Sequence, residues 1–285
     1  CNMSMNNAPL ESLVPSWLTG TWTRSYIRRR IVPGPGPNGD GDGDGGGSSG
    51  SSGRALGLGK PDSTVEVTYI QTPWAFVDVR RPPVLIDGSK EVAMAFAGVT
   101  TVLHGDDSGG DNDDRSNSNS NSNENETPLP PLVNWHTCLE MDSPEIDSFK
   151  LWSEADAGKP RETPDKGYFK DVSEEVGIPH TYRETDPDGT LEELWIRVDD
   201  GNNQFLAARN EKAKVLLVVA GKHFGYANQD KNMFVSGVVS SKSEEGLMIL
   251  MSASDKSLEG TTLSLEQTGW TILAGSTIDI KTIIL

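Results

Sequence analysis

The stretch Leu18–Val32, which reads LTGTWTRSYIRRRIV, decides the fold that we predict for this chain. Gly20 allows a bend before Trp22, and the residues that follow are aromatic, β-branched and basic, which predicts a first β-strand over about residues 20–32. Successive side chains of a strand point to opposite faces, so one face is predicted to carry four large side chains: Trp22, Arg24, Tyr26 and Arg28. Neither face is purely apolar, and we therefore expect this strand to place polar groups inside the protein.

Short segments of this kind recur through the rest of the chain, with turn residues between them. The clearest are Ser63–Ile70, Trp74–Arg80 and Lys214–Ala220, and the sequence Asp-Pro-Asp-Gly at 186–189 indicates a β-hairpin turn. Helical periodicity is absent, apart from a single turn that residues 171–176 could form. Strands at short, regular spacing predict an all-β fold, an antiparallel barrel or sandwich, built as one large barrel or as two smaller barrels packed together.

Low-complexity sequence divides the chain. Residues 33–53 are rich in Gly, Asp and Ser, and residues 105–126 form an acidic patch followed by Ser-Asn repeats. Such segments cannot bury enough apolar surface to offset the entropy of ordering, so both are predicted to be disordered loops. We accordingly divide the chain into a leader (1–16), a first β half (17–104, including the loop 33–53), the insertion 105–126 and a second β half (127–285).

The composition excludes several kinds of partner. Residues 33–53 contribute −3 and residues 105–126 contribute −6 to a formal net charge of −17, so the remainder of the chain carries −8. An acidic chain lacks the basic surface that binding to nucleic acid or to an anionic membrane requires, and we predict neither partner. The two cysteines, Cys1 and Cys138, predict no disulfide framework and a reducing compartment, hence a cytoplasmic location. No apolar run approaches the ~20 residues that a transmembrane helix needs.

Two resemblances extend this prediction. Gly20-Thr21-Trp22 resembles the Gly-x-Trp signature of lipocalins and related calycin barrels, which implies that the tryptophan packs across the closed end of a barrel, under an arginine of a late strand. Further segments resemble, in the same order, an uncharacterised family of bacterial and eukaryotic proteins, itself distantly similar to a yeast protein of paired lipocalin-like barrels that is named for a casein-kinase partner. These segments are Trp22–Ile27, Thr68–Thr72, Phe76–Pro82, Phe96–Gly98, Trp135-His136, Glu192–Trp195 and Val218–Ala227. The second resemblance covers roughly residues 17–230 without the two insertions, and it implies a lipocalin-like barrel but no particular chemistry.

Polar and aromatic side chains on the predicted strands are the candidate ligand contacts. Asp78 and Arg80 are two residues apart, so they share a strand face with Trp74 and Phe76 and could fix the polar group of a ligand inside the barrel. A structural ion pair beside packed aromatic residues is the alternative that the sequence leaves open. We predict a ligand site formed from seven residues: Arg24, Tyr26, Trp74, Asp78, Arg80, His136 and His223.

The sequence contains no recognisable catalytic, metal or cofactor motif. His136 and His223 each stand beside an aromatic residue, without the spacing of a zinc site and without the glycine-rich first strand expected of a haem-binding barrel. Hydrogen-bonded structural histidines are the simpler interpretation. Glu184 and the pair Glu192-Glu193 flank the predicted hairpin turn and could act in acid–base catalysis if one were buried, but we predict exposed hairpin charges. We predict no catalytic residue, no metal and no cofactor.

Three functions remain compatible with the sequence. The first, which we favour, is a soluble β-barrel that binds a small, partly apolar ligand in its cavity. The second is an interaction or scaffold barrel that contacts a protein partner through its sheet edges or acidic loops. The third is an enzyme that uses Asp78, Arg80 and a histidine, which requires those side chains to converge in one cavity.

Overall fold

The structure of the protein, a computed structural model, describes residues 14–29, 59–81, 94–103, 130–142, 165–170, 181–240, 246–265 and 268–275. The predicted loops 33–53 and 105–126, most of the leader and the predicted turn at 171–176 lie outside these residues. The described residues form fifteen β-strands and two single turns of 3₁₀-helix, without an α-helix, so the predicted all-β class is confirmed.

Eight antiparallel strands close into a barrel in chain order, and the eighth pairs with the first. The strands are β1 (Gly20–Arg29), β2 (Glu66–Gln71), β3 (Ala75–Arg81), β4 (Met94–Leu103), β5 (Leu132–Glu140), β6 (Asp165–Lys170), β7 (Thr181–Thr185) and β8 (Leu191–Asp199). The barrel therefore takes strands from both sides of the predicted insertion at 105–126. An eight-stranded barrel has an interior that is either filled by its own side chains or holds one small ligand.

The first residue of β1 must be a glycine. Gly20 has a φ angle of 123°, a backbone conformation that other residues rarely adopt, and a Cβ atom there would lie 2.4 Å from the carbonyl oxygen of Asp199. The bend predicted before Trp22 thus lies where β1 meets the end of β8.

A β-bulge in β1 changes the direction of its side chains. Where β1 pairs with β8, the register shifts between Arg24 and Tyr26, because an extra residue is inserted in β1. Arg24 is paired with Trp195, which faces the barrel interior, whereas Tyr26 is paired with Leu194 on the outer face. The predicted single face of β1 is therefore wrong: Arg24 points inward, while Tyr26 and Arg28 point outward and stack on each other at 4.6 Å.

Aromatic packing fills the end of the barrel at which β1 begins. Trp22 is fully buried, its indole Nε1 donates to the Leu18 carbonyl oxygen at 2.9 Å, and its ring centroid lies 4.5 Å from that of Tyr182. Arg197 of β8 stacks over Trp22, with its guanidinium carbon 4.3 Å from the ring centroid, and donates to the Trp17 carbonyl oxygen. This is the contact that the Gly-x-Trp resemblance implies. Burial lowers the pKa of Arg197 to about 10, so the guanidinium remains charged at neutral pH.

A second sheet of seven antiparallel strands packs against the outside of the barrel. In chain order its strands are β9 (Phe205–Asn210), β10 (Val215–Ala220), β11 (His223–Asn228), β12 (Met233–Val239), β13 (Leu247–Ser252), β14 (Thr262–Leu263) and β15 (Thr271–Gly275). They pair in the spatial order β14-β13-β12-β11-β10-β9-β15. Of the two smaller barrels in the second predicted arrangement, one is found as the closed eight-stranded barrel, and the chain forms an open sheet in place of the other.

The two faces of the second sheet are buried in separate apolar clusters. Leu216 and Val218 of β10 face the barrel, where they join Val77 of β3 in one cluster. Leu217 and Val219 point the other way, into a cluster formed by the second sheet and by Leu258, Leu265 and Trp270 in the segments between its last strands. A strand covered on both sides reads as a continuous apolar run, which explains the sequence VLLVVA of β10.

Two details of the strand prediction differ from the structure. Trp74 was expected on a strand, but β3 begins at Ala75, and Trp74 lies in the turn before it, where its backbone N–H faces the Thr72 hydroxyl at 3.4 Å. Strand β12 was not predicted, because Ser236-Gly237 interrupts its apolar alternation. The register with β13 shifts at that dipeptide, because β13 carries an extra residue there, so a further β-bulge lies opposite the interruption.

Candidate ligand-binding cavity

A cavity of about 180 Å³ lies inside the barrel, between the buried aromatic end and the turn that joins β7 to β8. Six aromatic side chains line it: Tyr69, Phe76, Phe96, Trp135, Tyr182 and Trp195. Leu191 lines it too, and so do seven charged side chains: Asp78, Arg80, Asp165, Lys166, Glu184, Asp186 and Glu193. Apolar walls with a few placed polar groups are the usual form of a small-molecule site.

Asp78 and Arg80 lie side by side on β3, as predicted, and both line the cavity. Arg80 donates to Asp78 Oδ2 from Nη2 at 2.7 Å and from Nε at 3.0 Å, and its guanidinium carbon lies 4.7 Å from the Phe96 ring centroid. Burial alone would lower the pKa of Arg80, but Asp78 outweighs it and raises that pKa above its usual value. The second oxygen of Asp78, Oδ1, is buried without a hydrogen-bond donor among the described residues. A ligand in the cavity could supply that donor.

A second ion pair joins β1 to β8 at the cavity wall. Arg24 Nη1 donates to Glu193 Oε1 at 2.6 Å, and both side chains are 5 % exposed. Glu193 lines the cavity, whereas Arg24 lies behind it. Arg24 is therefore not part of the cavity lining itself, but its guanidinium fixes the Glu193 carboxylate that is.

Glu184 of β7 is the third carboxylate of the inner wall. Trp195 Nε1 donates to its Oε2 at 3.0 Å. Gly167 on the adjacent strand makes room for it, since a Cβ there would lie 2.7 Å from Glu184 Cγ and Oε1. Burial raises the pKa of Glu184 well above its usual value, and Glu193 raises it further, while Arg80 opposes the shift. Glu184 thus stays protonated more readily than an exposed glutamate does.

A chain of hydrogen bonds fixes two of the aromatic walls. Trp135 Nε1 donates to the Tyr69 hydroxyl oxygen at 3.0 Å, and the Tyr69 hydroxyl donates to Gln71 Oε1. The Thr100 hydroxyl donates to the same Gln71 oxygen at 2.7 Å. Burial raises the pKa of Tyr69, so its phenol stays neutral and keeps its proton for this chain. The rings of Tyr69 and Trp135 are therefore held in place before any ligand arrives.

The predicted site residues divide into two groups. Asp78 and Arg80 line the cavity, and Arg24 reaches it through Glu193. Tyr26 lies on the outer face of β1, where its hydroxyl donates to Glu192 Oε1 at 3.2 Å. Trp74, in the turn before β3, is not part of the cavity lining. The alternation of side chains gave the wrong face for Tyr26, since a bulge precedes it, and the wrong element for Trp74.

The two histidines lie outside the cavity. His136 is on the outer face of β5, where its Nε2 lies 2.8 Å from the Thr101 hydroxyl oxygen, as expected of a structural histidine. His223 begins β11 in the second sheet, with its Nε2 3.6 Å from Asp199 Oδ2. Burial lowers the pKa of both imidazoles. The convergence with Asp78 that the enzyme hypothesis requires is not found.

The prediction of exposed hairpin charges is wrong for two of the three glutamates. Glu193 is 3 % exposed, and Glu184, its direct partner across β7 and β8, lines the cavity beside it. Glu192 alone points outward, and it lies 3.6 Å from Arg28 Nη1. A signal for Glu193 was present in the sequence, since it is two residues before Trp195 and therefore shares the face of that tryptophan.

Three other kinds of feature are relevant to the chemistry of the described part of the chain: a metal site, a membrane-spanning helix and a cysteine. No group of three or more His, Cys, Asp or Glu side chains there is placed to hold a metal ion. The same ranges contain no helix that is both long and apolar enough to cross a membrane. Cys138 is buried in the apolar cluster between barrel and second sheet, as expected of a small hydrophobic side chain.

The cavity therefore offers a defined set of groups: rigid aromatic walls, two ion pairs and a third carboxylate that favours its protonated form. Comparison of the chain with models of protein families, with curated proteins and with solved structures finds no match.

Proposed function

We propose that the protein binds a small, partly apolar ligand in the barrel cavity. The observation that carries this proposal is Asp78, whose carboxylate belongs to the lining of a cavity of aromatic rings and whose buried oxygen Oδ1 has no donor among the described residues. Buried polar atoms in proteins nearly always have a hydrogen-bond partner. A ligand that donates to this oxygen and packs against the rings would satisfy both the polar and the apolar part of the wall.

The volume of the cavity limits the size of the ligand. Pockets for drug-sized ligands span about 300–1,000 Å³, and the barrel cavity of about 180 Å³ is smaller. A cavity of about 150 Å³ accommodates a benzene molecule. The ligand we propose is therefore about the size of one ring with a short polar substituent, and retinoids, bilins and haem are too large for the described space.

A lipocalin-like relationship is part of the same proposal. It is supported by the eight antiparallel strands in chain order, by Trp22 across the filled end, and by Arg197 of the last barrel strand over that tryptophan. Barrels of eight strands suit a single small ligand. The cytoplasmic location inferred from the cysteine content also stays a proposal.

The two other functions have weaker support. The enzyme hypothesis requires a histidine in the cavity, and among the described residues His136 and His223 both lie outside it. The interaction barrel depends in part on the acidic loop 105–126, which lies outside the described residues. No observation on the described surface favours a protein partner over a ligand.

The test is a ligand screen on the full chain by native mass spectrometry and thermal shift. The library contains one-ring fragments of each charge, together with fatty acids, retinoids, bilins and haem. We expect hits among the one-ring fragments, because only they fit the cavity. The absence of any hit in that group would overturn the proposal.

A pair of variants shows whether a hit occupies the cavity. Leu191→Trp places a bulky indole ring at the cavity wall, whereas Leu194→Trp adds the same ring to the outer face of the same strand. We expect Leu191→Trp to lower the affinity for the fragment at least about tenfold and Leu194→Trp to leave it unchanged. Equal effects of the two variants would place the binding site elsewhere.

A further inference from the structure

The charges of the cavity are not balanced. Five carboxylates line it, from Asp78, Asp165, Glu184, Asp186 and Glu193. The cationic side chains in the lining are Arg80 and Lys166. Even with Arg24 counted behind the wall, the carboxylates outnumber the cationic groups. A cavity of this kind attracts a positively charged ligand and repels a negatively charged one.

The ion pairs leave one inner carboxylate without a cation. Arg80 hydrogen-bonds to Asp78, and Arg24 hydrogen-bonds to Glu193. Glu184 receives a hydrogen bond from the neutral indole of Trp195 and has no ion pair with a described residue. Glu184 is half-buried, and a carboxylate shielded from water without a positive partner is costly, so a cation placed beside it would be favoured.

The aromatic walls suit the same kind of ligand. Faces of Trp, Tyr and Phe attract ammonium groups, and this attraction strengthens where water is excluded. Phe96 already receives the Arg80 guanidinium in this way, with 4.7 Å between guanidinium carbon and ring centroid. Tyr182, Trp195 and Trp135 provide further rings around the carboxylates.

From this arrangement we infer that the ligand of the cavity is a small organic amine, bound as its ammonium ion, with N–H groups donated to Glu184 and Asp78 and a body of about one ring against the aromatic walls. This inference rests on the proposed function and specifies the ligand class. An anionic ligand fits less well, because the two guanidinium groups at the cavity already hydrogen-bond to carboxylates.

Binding of such a cation is coupled to a proton. Burial and Glu193 raise the pKa of Glu184 in the empty cavity. Further charged groups around it are Asp78 and Arg80 from β3 and Asp165 and Lys166 from β6. An ammonium ion beside Glu184 favours the ionised carboxylate, so the pKa falls on binding and a proton is released.

The experiment compares three probes of matched size and different charge. Benzylamine, benzyl alcohol and benzoate are titrated separately into the ¹⁵N-labelled full chain and followed by NMR. The indole N–H signal of Trp195 reports binding at Glu184, since that group donates to the Glu184 carboxylate. We expect benzylamine to bind at least about tenfold more tightly than benzyl alcohol and benzoate to bind most weakly.

Two variants test the role of the carboxylate. Glu184→Gln keeps the size of the side chain and removes its charge, and Glu192→Gln makes the same change on the outer face of the neighbouring strand. We expect Glu184→Gln to weaken benzylamine about tenfold and to leave benzyl alcohol unchanged, which also shows that the variant is folded. Glu192→Gln should alter neither affinity.

Proton release supplies a second measurement. Titration calorimetry with benzylamine in buffers of different ionisation enthalpy gives the number of protons released on binding. We expect release by the wild-type chain and a loss of that release in Glu184→Gln. Benzylamine that binds no more tightly than benzyl alcohol would overturn the amine inference while leaving a ligand-binding cavity in place. Failure of all three probes, together with an empty fragment screen, would overturn the proposed function itself.

Discussion

The barrel interior and the interface between the barrel and the second sheet are both buried, but they are built from opposite kinds of side chain. The interface is an apolar cluster in which Val77 and Val79 of the barrel meet Val218 and Phe234 of the second sheet. The interior contains three inner-wall carboxylates and two guanidinium groups among its aromatic rings. Strand β3 contributes to both, since its alternate residues face outward and inward.

The difference indicates where stability and function reside. Burying apolar surface stabilises a fold by about 25 cal/mol per Å², and in such a cluster no charged group has to lose its hydration. Buried ion pairs contribute little net stability, because the loss of hydration offsets the attraction between the charges. We therefore attribute the stability of the fold mainly to the apolar clusters, whereas the proposed function would place ligand binding in the charged interior.

The largest expected effect is at the interface. Phe234 is fully buried between the sheets, so Phe234→Ala should destabilise the protein by about 3–5 kcal/mol, through lost apolar burial and the cavity left behind. Urea unfolding followed by tryptophan fluorescence measures this. Leu250→Ala is the control, since Leu250 on neighbouring β13 is 51 % exposed and should change stability by less than about 0.5 kcal/mol. Similar effects of the two variants would mean that the interface is not the stabilising region.

A smaller effect is expected at the Arg24–Glu193 ion pair inside the barrel. Glu193→Gln weakens a buried charged hydrogen bond and leaves Arg24 without its counter-charge, which should cost about 1.5–3 kcal/mol. The double variant with Arg24→Gln should recover part of that loss, because the remaining pair is neutral. A double-mutant cycle by urea unfolding measures the coupling.

The outer pair of Arg28 and Glu192 provides the control for this cycle. Arg28 is 33 % exposed, so the pair lies partly in solvent and should show a coupling of at most about 1 kcal/mol. Additive single-variant effects at Arg24 and Glu193, within about 0.5 kcal/mol, would show that the inner pair is not coupled.

The smallest effect on stability is expected for Glu184→Gln at acid pH. Below its unfolded pKa of about 4.3 the side chain is protonated in both states, so Glu184→Gln should behave as the wild-type chain does. As pH rises toward the raised folded pKa, the unfolded state ionises first, and the wild type loses up to about 1.4 kcal/mol of stability per pH unit. Glutamine does not ionise, so the variant should become the more stable protein.

Urea unfolding of both proteins at a series of pH values between 4 and 8 measures this divergence. The free energy of unfolding of Glu192→Gln, a change on the outer face of the neighbouring strand, should vary with pH in parallel with that of the wild type over the same range. Parallel curves for Glu184→Gln as well would contradict the raised pKa of Glu184.

Features set by local patterns of sequence could be predicted. Alternation in Ser63–Ile70, and the uninterrupted apolar run that became β10, were enough to indicate strands and an all-β class. The two-residue spacing of Asp78 and Arg80 was enough to put both on one face of β3. Two of the three inner-wall carboxylates were missed, because Glu184 and Glu193 look like ordinary charges beside a hairpin turn.

The sequence by itself determined the strands, their turns and the shared face of Asp78 and Arg80, because side-chain alternation and turn chemistry act over a few residues. Only the tertiary structure decided which face became the interior. The bulge after Arg24 turns Tyr26 outward, and the pairing of β7 with β8 brings Glu184 beside Glu193. Barrel closure pairs β1 with β8 and so brings together Arg24 and Glu193, which are 169 positions apart in the sequence. Whether a charged side chain faces the interior of the closed barrel fixes its burial and hence its pKa.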